Sequence, residues 1–188
     1  MKTIVFDFDK TLTDYDTLTD LFLRLLKERV YLFPLYFFLK CLSKIGFISV
    51  KKEKEIMINV LLKNKDEGQL FLDFSKTIKL NKIKEILQQL KKNGERVIIL
   101  SASPENYLKL LFPDCLVFGL IYQINNGHYN ITQHPYGKEK PQVLIKHGIS
   151  HFDELYYDSV SDEYLFYMCN KANKVLKGQI IQEKSLLY

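Results

Sequence analysis

An apolar run, Thr3-Ile4-Val5-Phe6, breaks without transition into Asp7-Phe8-Asp9-Lys10-Thr11-Leu12-Thr13. Four β-branched or aromatic residues read as a buried strand, and the abrupt charge at its exit marks a place where chemistry can sit. Residues two apart on a strand share a face, so Asp7 and Asp9 share one unless the chain turns between them. Like charges that close are costly without a cation. The pair suits a metal ion and a division of labour, one carboxylate as nucleophile and the other as general acid and base. Two solvated acids at a strand end would produce the same short string; the later strand ends decide between the readings.

Two further apolar runs end in the same way. Residues 96–100 lead into Ser101-Ala102-Ser103-Pro104, with Pro104 expected in the first turn of the next helix. Hydroxyl and backbone N–H groups at such a helix start suit phosphoryl oxygens, although Ser-Ala-Ser alone is more often a capping sequence. Residues 155–157 lead into Asp158-Ser159-Val160-Ser161-Asp162, and a helix is expected over 163–170. Between them, Gly137-Lys138-Glu139-Lys140-Pro141 opens a helix with Pro141 read as its first residue. A lysine there opposes the helix dipole and suits a phosphoryl group, a role for which Lys138 and Lys140 compete. Asn125-Asn126-Gly127 predicts a hairpin between residues 116–124 and 128–132. His128 and His134 read as surface residues; His147 and His151 have Gly148 and Ser150 between them, which argues against a metal role. Strands alternating with helices predict a parallel α/β sheet whose acidic and hydroxyl strand ends meet along one edge.

From Thr17 the period becomes helical, with Leu18, Leu21, Phe22, Leu25 and Leu26 on one face and Asp16 or Thr17 as the N-cap. Residues 30–39 are apolar all round. They are too few to span a bilayer, which takes about 20, and Lys40 and Lys44 interrupt any extension. Two readings stand: a buried helix, or an interfacial segment making peripheral contact with a membrane. Its neighbourhood is basic, with Arg24, Lys27, Arg29, Lys40, Lys44, Lys51, Lys52 and Lys54 against Glu28 and Glu53. That excess suits an anionic substrate or an anionic membrane face. Gly46 ends this element, and helices are expected over 51–62 and 69–79. The core resumes with a helix over 81–92, stopped by Asn93-Gly94. The division is therefore a core of residues 1–13 and 81–188 and a helical insertion of residues 14–80.

With 188 residues, 47% hydrophobic, the chain is long enough for one well-cored domain with an insertion. Cys41, Cys115 and Cys169 form no C-x-x-C pair, so neither a disulfide framework nor a thiolate zinc site is indicated. Those cysteines and the lack of a signal-peptide pattern predict a cytoplasmic protein, with the membrane's inner face as the site of any peripheral contact. No nucleic-acid partner is expected from a net charge of only +5.

Asp7-Phe8-Asp9-Lys10-Thr11, Ser101, Lys140 with Leu144 four residues on, and Asp158-Ser159-x-x-Asp162 resemble the four ordered motifs of the haloacid dehalogenase superfamily of phosphohydrolases. The inserted helices resemble the C1 cap of its phosphoserine phosphatase branch. Leu100 to Pro104, Gly137-x-Glu139-Lys140 and Tyr156-x-Asp158-Ser159-x-x-Asp162 are similar to the C-type phosphatidylglycerophosphate phosphatases, which also have an apolar, Pro-containing cap segment. The resemblance implies a Rossmann-like core, a phosphate monoester substrate and Mg2+. It implies that Asp7 attacks phosphorus while Asp9 protonates the leaving oxygen and then activates water. Asp7, the Asp9 main-chain carbonyl and Asp158 would hold the metal; Thr11, Ser101 and Ala102 would bind phosphoryl oxygens. Lys140, chosen over Lys138 for its Leu144 partner, would offset their charge, with Asp162 orienting it. Asp16 stands where this branch often has a substrate-facing acid, though a helix cap serves equally. Lys10 stands where many members have Gly. Tyr157 replaces a small residue, a change expected at the pocket wall. A phospho-aspartate receiver fits poorly, because it has no sixty-residue insertion after its acids, and a superfamily dehalogenase would not need Asp9. An inactive membrane scaffold fits poorly because every motif residue is present.

Overall fold

The computed structural model describes residues 1–186 of the chain. Its strands are β1 (Thr3–Phe6), β2 (Arg96–Pro104), β3 (Leu116–Asn125), β4 (His128–Gln133), β5 (Phe152–Tyr157), β6 (Cys169–Leu176) and β7 (Gln179–Ser185). The helices are α1 (Thr17–Glu28), α2 (Phe33–Lys44), α3 (Val50–Leu62), α4 (Glu67–Thr77), α5 (Ile83–Lys92), α6 (Glu105–Leu111) and α7 (Glu139–Lys146). One sheet runs β4-β3-β2-β1-β5-β6-β7. β3, β2, β1, β5 and β6 are parallel, and β4 and β7 close the edges as antiparallel strands. The predicted α/β architecture with a Rossmann-like parallel sheet is therefore present.

Strand alternation divides the core into two layers. Ile4, Phe6, Val97 and Ile99 face a cluster containing Leu18, Phe22, Leu26, Met57, Phe71 and Leu87, drawn from α1 and α3 to α5. Val5, Ile98, Leu100 and Leu155 face the opposite cluster, with Val143, Leu144 and Leu165. Helices of residues 14–80, expected as an insertion, thus share one continuous apolar layer with the sheet. The chain's crossings into and out of that segment are tied by Asn81. Its side-chain amide donates to the Thr11 and Thr13 carbonyls and to Asp14 Oδ1, at 3.0, 3.1 and 3.1 Å. The Asn126-Gly127 turn has φ of 52° and 75°, as the hairpin sequence predicts.

Several expectations need correction. Pro104 ends β2 and caps α6 rather than lying inside it. Pro141 is the third residue of α7, where its missing N–H is still one of the helix's unpaired donors. Residues 163–170 form no α-helix: Val160–Met168 is a 3-10 stretch, and β6 begins at Cys169. Leu165 and Met168, both buried three residues apart, match the 3-10 period. His134 is buried rather than on the surface, stacked on Tyr136. Tyr157 turns into the second cluster, edge-on to Phe166, and does not line the pocket. The buried-helix reading of residues 30–39 fails for the outer face of α2, where Leu39 is the only fully buried residue.

Candidate active site

β1 delivers Asp7 to the C-terminal edge of the sheet, its N–H bonded to the Tyr156 carbonyl at 2.9 Å. The chain then turns sharply: the N–H groups of Thr11, Leu12 and Thr13 all point at the Phe8 carbonyl. Lys10 takes a left-handed φ of 61° to make that turn. Asp7 and Asp9 consequently leave the strand in different settings. Asp7 Oδ1 accepts from Lys140 Nζ at 2.6 Å, and Lys140 also pairs with Asp162; all three are buried. Lys138, the rival lysine, is exposed at the cap position of α7.

Asp9 is held by the start of α1 and the end of β2. Its Oδ1 accepts from the Thr17 N–H at 2.8 Å and hydroxyl at 2.7 Å, and its Oδ2 accepts from Ser103 Oγ at 2.5 Å. Thr17 in turn meets Tyr107 OH at 2.8 Å. Asp16 is the N-cap of α1, accepting from the Thr19 N–H at 2.7 Å, and also borders a cavity at this edge of the sheet. That open cavity, about 350 Å³, brings together Asp7, Asp9, Ser101, Ala102, Lys140, Asp158 and Asp162 with Lys10, Lys54 and Tyr136. Thr11 does not reach its wall; its hydroxyl donates to Asp7 Oδ2 at 3.2 Å from below. Ser101 Oγ accepts the Ser103 N–H at 3.1 Å.

Burial, with Asp162 and Asp158 adding to it, pushes Asp7 up to about 8 against the pull of Lys140. Burial, with Asp162 adding to it, lifts Asp158 to about 6 against Lys140 and Lys10. For Lys140 burial disfavours the ammonium, yet Asp162 and Asp7 outweigh it and hold the group protonated. Burial and Asp16 raise Asp9, opposed by Lys54 and by the Ser103 and Thr17 hydrogen bonds. Asp16 is lowered, because Lys54 and the Thr19 bonds overcome its own burial.

Asp7, Asp158 and Asp162 each offer a carboxylate oxygen within 4.8 Å of the others. Around the cavity five carboxylates, those of Asp7, Asp9, Asp16, Asp158 and Asp162, face three ammonium groups, those of Lys10, Lys54 and Lys140. Five acids against three cations, with burial resisting the ionisation of Asp7 and Asp158, and an all-oxygen donor set fit a hard divalent cation such as Mg2+, which would favour their ionised forms.

Sequence reasoning missed Lys54, Ser103, Thr17, Tyr107 and Tyr136 as parts of this site. Lys54 carried a signal: with Met57, Ile58 and Leu61 it completes the i, i+3, i+4, i+7 buried face of α3. From that face its Nζ donates to the Ala102 carbonyl at 2.9 Å.

The sequence profile of haloacid dehalogenase-like hydrolases matches residues 4–162. The chain belongs to that family. No curated protein matches it. Among solved structures it is similar to a HAD family hydrolase from Salmonella enterica serovar Typhi, with TM-score 0.68 and 16% identity. The alignment covers 89% of this chain and 59% of that one, so the chain spans little more than half of this relative. It is also similar to a phosphoserine phosphohydrolase-like protein from Francisella tularensis, with TM-score 0.65, 19% identity and coverage of 93% and 87%. A third is a phosphoserine phosphatase solved as an analogue of its phospho-aspartyl intermediate, with TM-score 0.63, 19% identity and coverage of 92% and 85%. These likenesses establish the shared fold of this haloacid dehalogenase-like hydrolase.

Proposed function

We propose that this hydrolase is a Mg2+-dependent phosphomonoesterase that works through an aspartyl-phosphate on Asp7. The observation that carries the reading is the separation of its two leading acids. Asp7 is locked to a buried lysine, whereas Asp9 stands nearby on a hydroxyl-lined mount with a raised pKa. An Asp7 carboxylate oxygen attacks phosphorus, and the ester oxygen leaves with the proton from Asp9. Asp9, now ionised, takes a proton from water as that water attacks the phosphoryl group, and phosphate and free Asp7 result. A group that first gives and then takes a proton works best with a pKa drawn towards neutrality, the direction in which burial moves Asp9. Lys140, oriented by Asp162, offsets charge on the transferred oxygens. Asp7, the Asp9 carbonyl and Asp158 would hold Mg2+, with Asp162 beside them; the ion supplies Lewis-acid stabilisation of phosphoryl charge and keeps Asp7 ionised. Ser101 and Ala102 would bind phosphoryl oxygens, and Thr11 supports Asp7 from beneath.

The helical segment of residues 14–80 acts in this reading as a cap, supplying Asp16 and Lys54 to the cavity. The substrate we assign is a phosphorylated lipid headgroup, phosphatidylglycerophosphate, met at the inner membrane face; the apolar exposed residues of α2 support it. The second reading, a small soluble ester resembling phosphoserine, is favoured by a modest cavity whose lining side chains carry both signs of charge. Phosphate release from phosphatidylglycerophosphate in mixed micelles, beside phosphoserine and an aryl phosphate, separates them. Preference for the lipid supports the first reading, preference for phosphoserine supports the second, and no Mg2+-dependent release from any of the three contradicts both.

A further inference from the structure

The second helix of the inserted segment leaves its outward face apolar. Its exposed stripe runs Phe33, Phe37 and Phe38 at helical spacing, and Val30, Tyr31, Ile45 and Phe47 extend it at either end, each at least half exposed. Its inward face rests on the rest of the molecule only lightly, through Leu39 and the half-buried Leu32 and Tyr36. A twelve-residue helix is about 18 Å long, and among the described residues no helix is long and apolar enough to cross a membrane.

We infer that this face docks on an anionic lipid bilayer, lying in the interface with its aromatic side chains among the acyl chains. Three observations select lipid over another protein. Residues 27–52 carry Lys27, Arg29, Lys40, Lys44, Lys51 and Lys52 against Glu28; Lys40 and Lys52 are paired with Glu53 and Glu55, which leaves Lys27, Arg29, Lys44 and Lys51 as the cations flanking the apolar stripe. Such a border attracts an anionic leaflet and falls silent on a neutral one. The apolar side chains are dominated by Phe and Tyr, aromatic residues suited to the boundary between headgroups and acyl chains. A second copy of the same surface would bring like charges together around its own stripe.

The face is mechanically joined to the cavity. Lys40 of α2 pairs with Glu53 of α3, and the next residue is Lys54, whose Nζ reaches Ala102. A side chamber of about 250 Å³ bordered by Lys40, Val50 and Met57 shares Asp16, Lys54 and Tyr136 with the catalytic cavity. On the proposed phosphatase reading, a phosphorylated headgroup reaches the cavity from the interface on which this face docks. This last step, unlike the docking itself, rests on the proposed phosphatase activity.

The chain has no tryptophan, so Phe37→Trp supplies a single indole fluorophore on the stripe. With vesicles of phosphatidylglycerol and phosphatidylcholine we expect a blue shift, quenching by brominated acyl chains and co-sedimentation that weakens at high salt. Vesicles of phosphatidylcholine alone should give little of either. Phe33→Ser/Phe37→Ser/Phe38→Ser in the otherwise native chain should lower vesicle binding by about tenfold or more while leaving aryl phosphate turnover unchanged. Because all three residues are exposed, the triple variant should fold. A Phe37→Trp protein that stays in the supernatant with anionic vesicles, its indole fluorescence unaltered, overturns the inference. So does a vesicle-independent dimer that the triple variant dissolves, which would assign the face to a second copy. Vesicle binding by a protein that releases no phosphate would uphold the docking face and contradict the phosphatase reading.

Discussion

Lys10 adopts a left-handed backbone at φ 61° that favours glycine, in a turn where three N–H groups converge on one carbonyl. A side chain there costs about 1–2 kcal/mol, partly offset by the greater flexibility of glycine in the unfolded chain. Lys10→Gly should therefore raise stability by about 0.5–1 kcal/mol in thermal denaturation, while removing one of the three cations at the cavity. His134 poses the opposite case. Burial, helped by Lys54, Lys51 and Lys140, lowers its pKa from 6.5 to about 3, and its Nε2 has no hydrogen-bond partner among the described residues. The unfolded chain binds the proton first, so stability present above pH 6.5 is lost as the pH falls towards 3, by up to about 1.4 kcal/mol per unit. Asp7 and Asp158 pull the other way, since a carboxyl raised by folding stabilises as the pH falls. Comparing His134→Leu with the native chain across this range isolates the imidazole: the native protein should lose stability faster on acidification. Equal slopes would contradict its burial as a neutral group.

At the scale of elements, the crossings around the inserted segment and the mount of Asp9 carry the strongest expectations. Asn81→Ala removes three side-chain hydrogen bonds that tie residues 11, 13 and 14 to the start of α5, and should destabilise by about 1–3 kcal/mol. Thr17→Val removes the hydroxyl that donates to Asp9. A carboxylate that loses a donor is harder to ionise, so the Asp9-dependent limb of the pH–rate profile should move to higher pH, with turnover reduced about tenfold. An unmoved profile would show that Thr17 matters only for packing. These elements also show what the sequence could express. β1, β2 and β5 were legible because their apolar runs end abruptly at Asp7, Ser101 and Asp158. β6 was not: Asn170, Lys171, Asn173 and Lys174 dilute its alternation, and pairing with β5 and β7 makes it a strand. Lys140 and its acids were legible through spacing, whereas Ser103 and Tyr107 join the site through contacts 86 to 94 residues apart in sequence, which no local pattern records, and Thr17 joins it because the turn after β1 folds the start of α1 back onto Asp9.

For the whole molecule, the parallel sheet gathers three strand ends, and with them an excess of buried acid, at one edge. Concentrating carboxylates in this way favours a bound divalent cation, so Mg2+ should raise the thermal midpoint and a chelator should lower it. Lys140→Met leaves Asp7 and Asp162 without their counter-ion and should destabilise the metal-free protein by about 3–5 kcal/mol, with partial recovery on adding Mg2+. A variant as stable as the native chain in chelator would contradict the electrostatic description of the site. The claim on which the functional account turns is that Asp7 is the nucleophile. Phosphate release from an aryl phosphate should be measured with and without Mg2+ for the native chain and for Asp7→Asn, each with its fold checked by circular dichroism. The account predicts Mg2+-dependent release by the native chain and none above background by the folded variant; native-like turnover by a folded Asp7→Asn protein would contradict it.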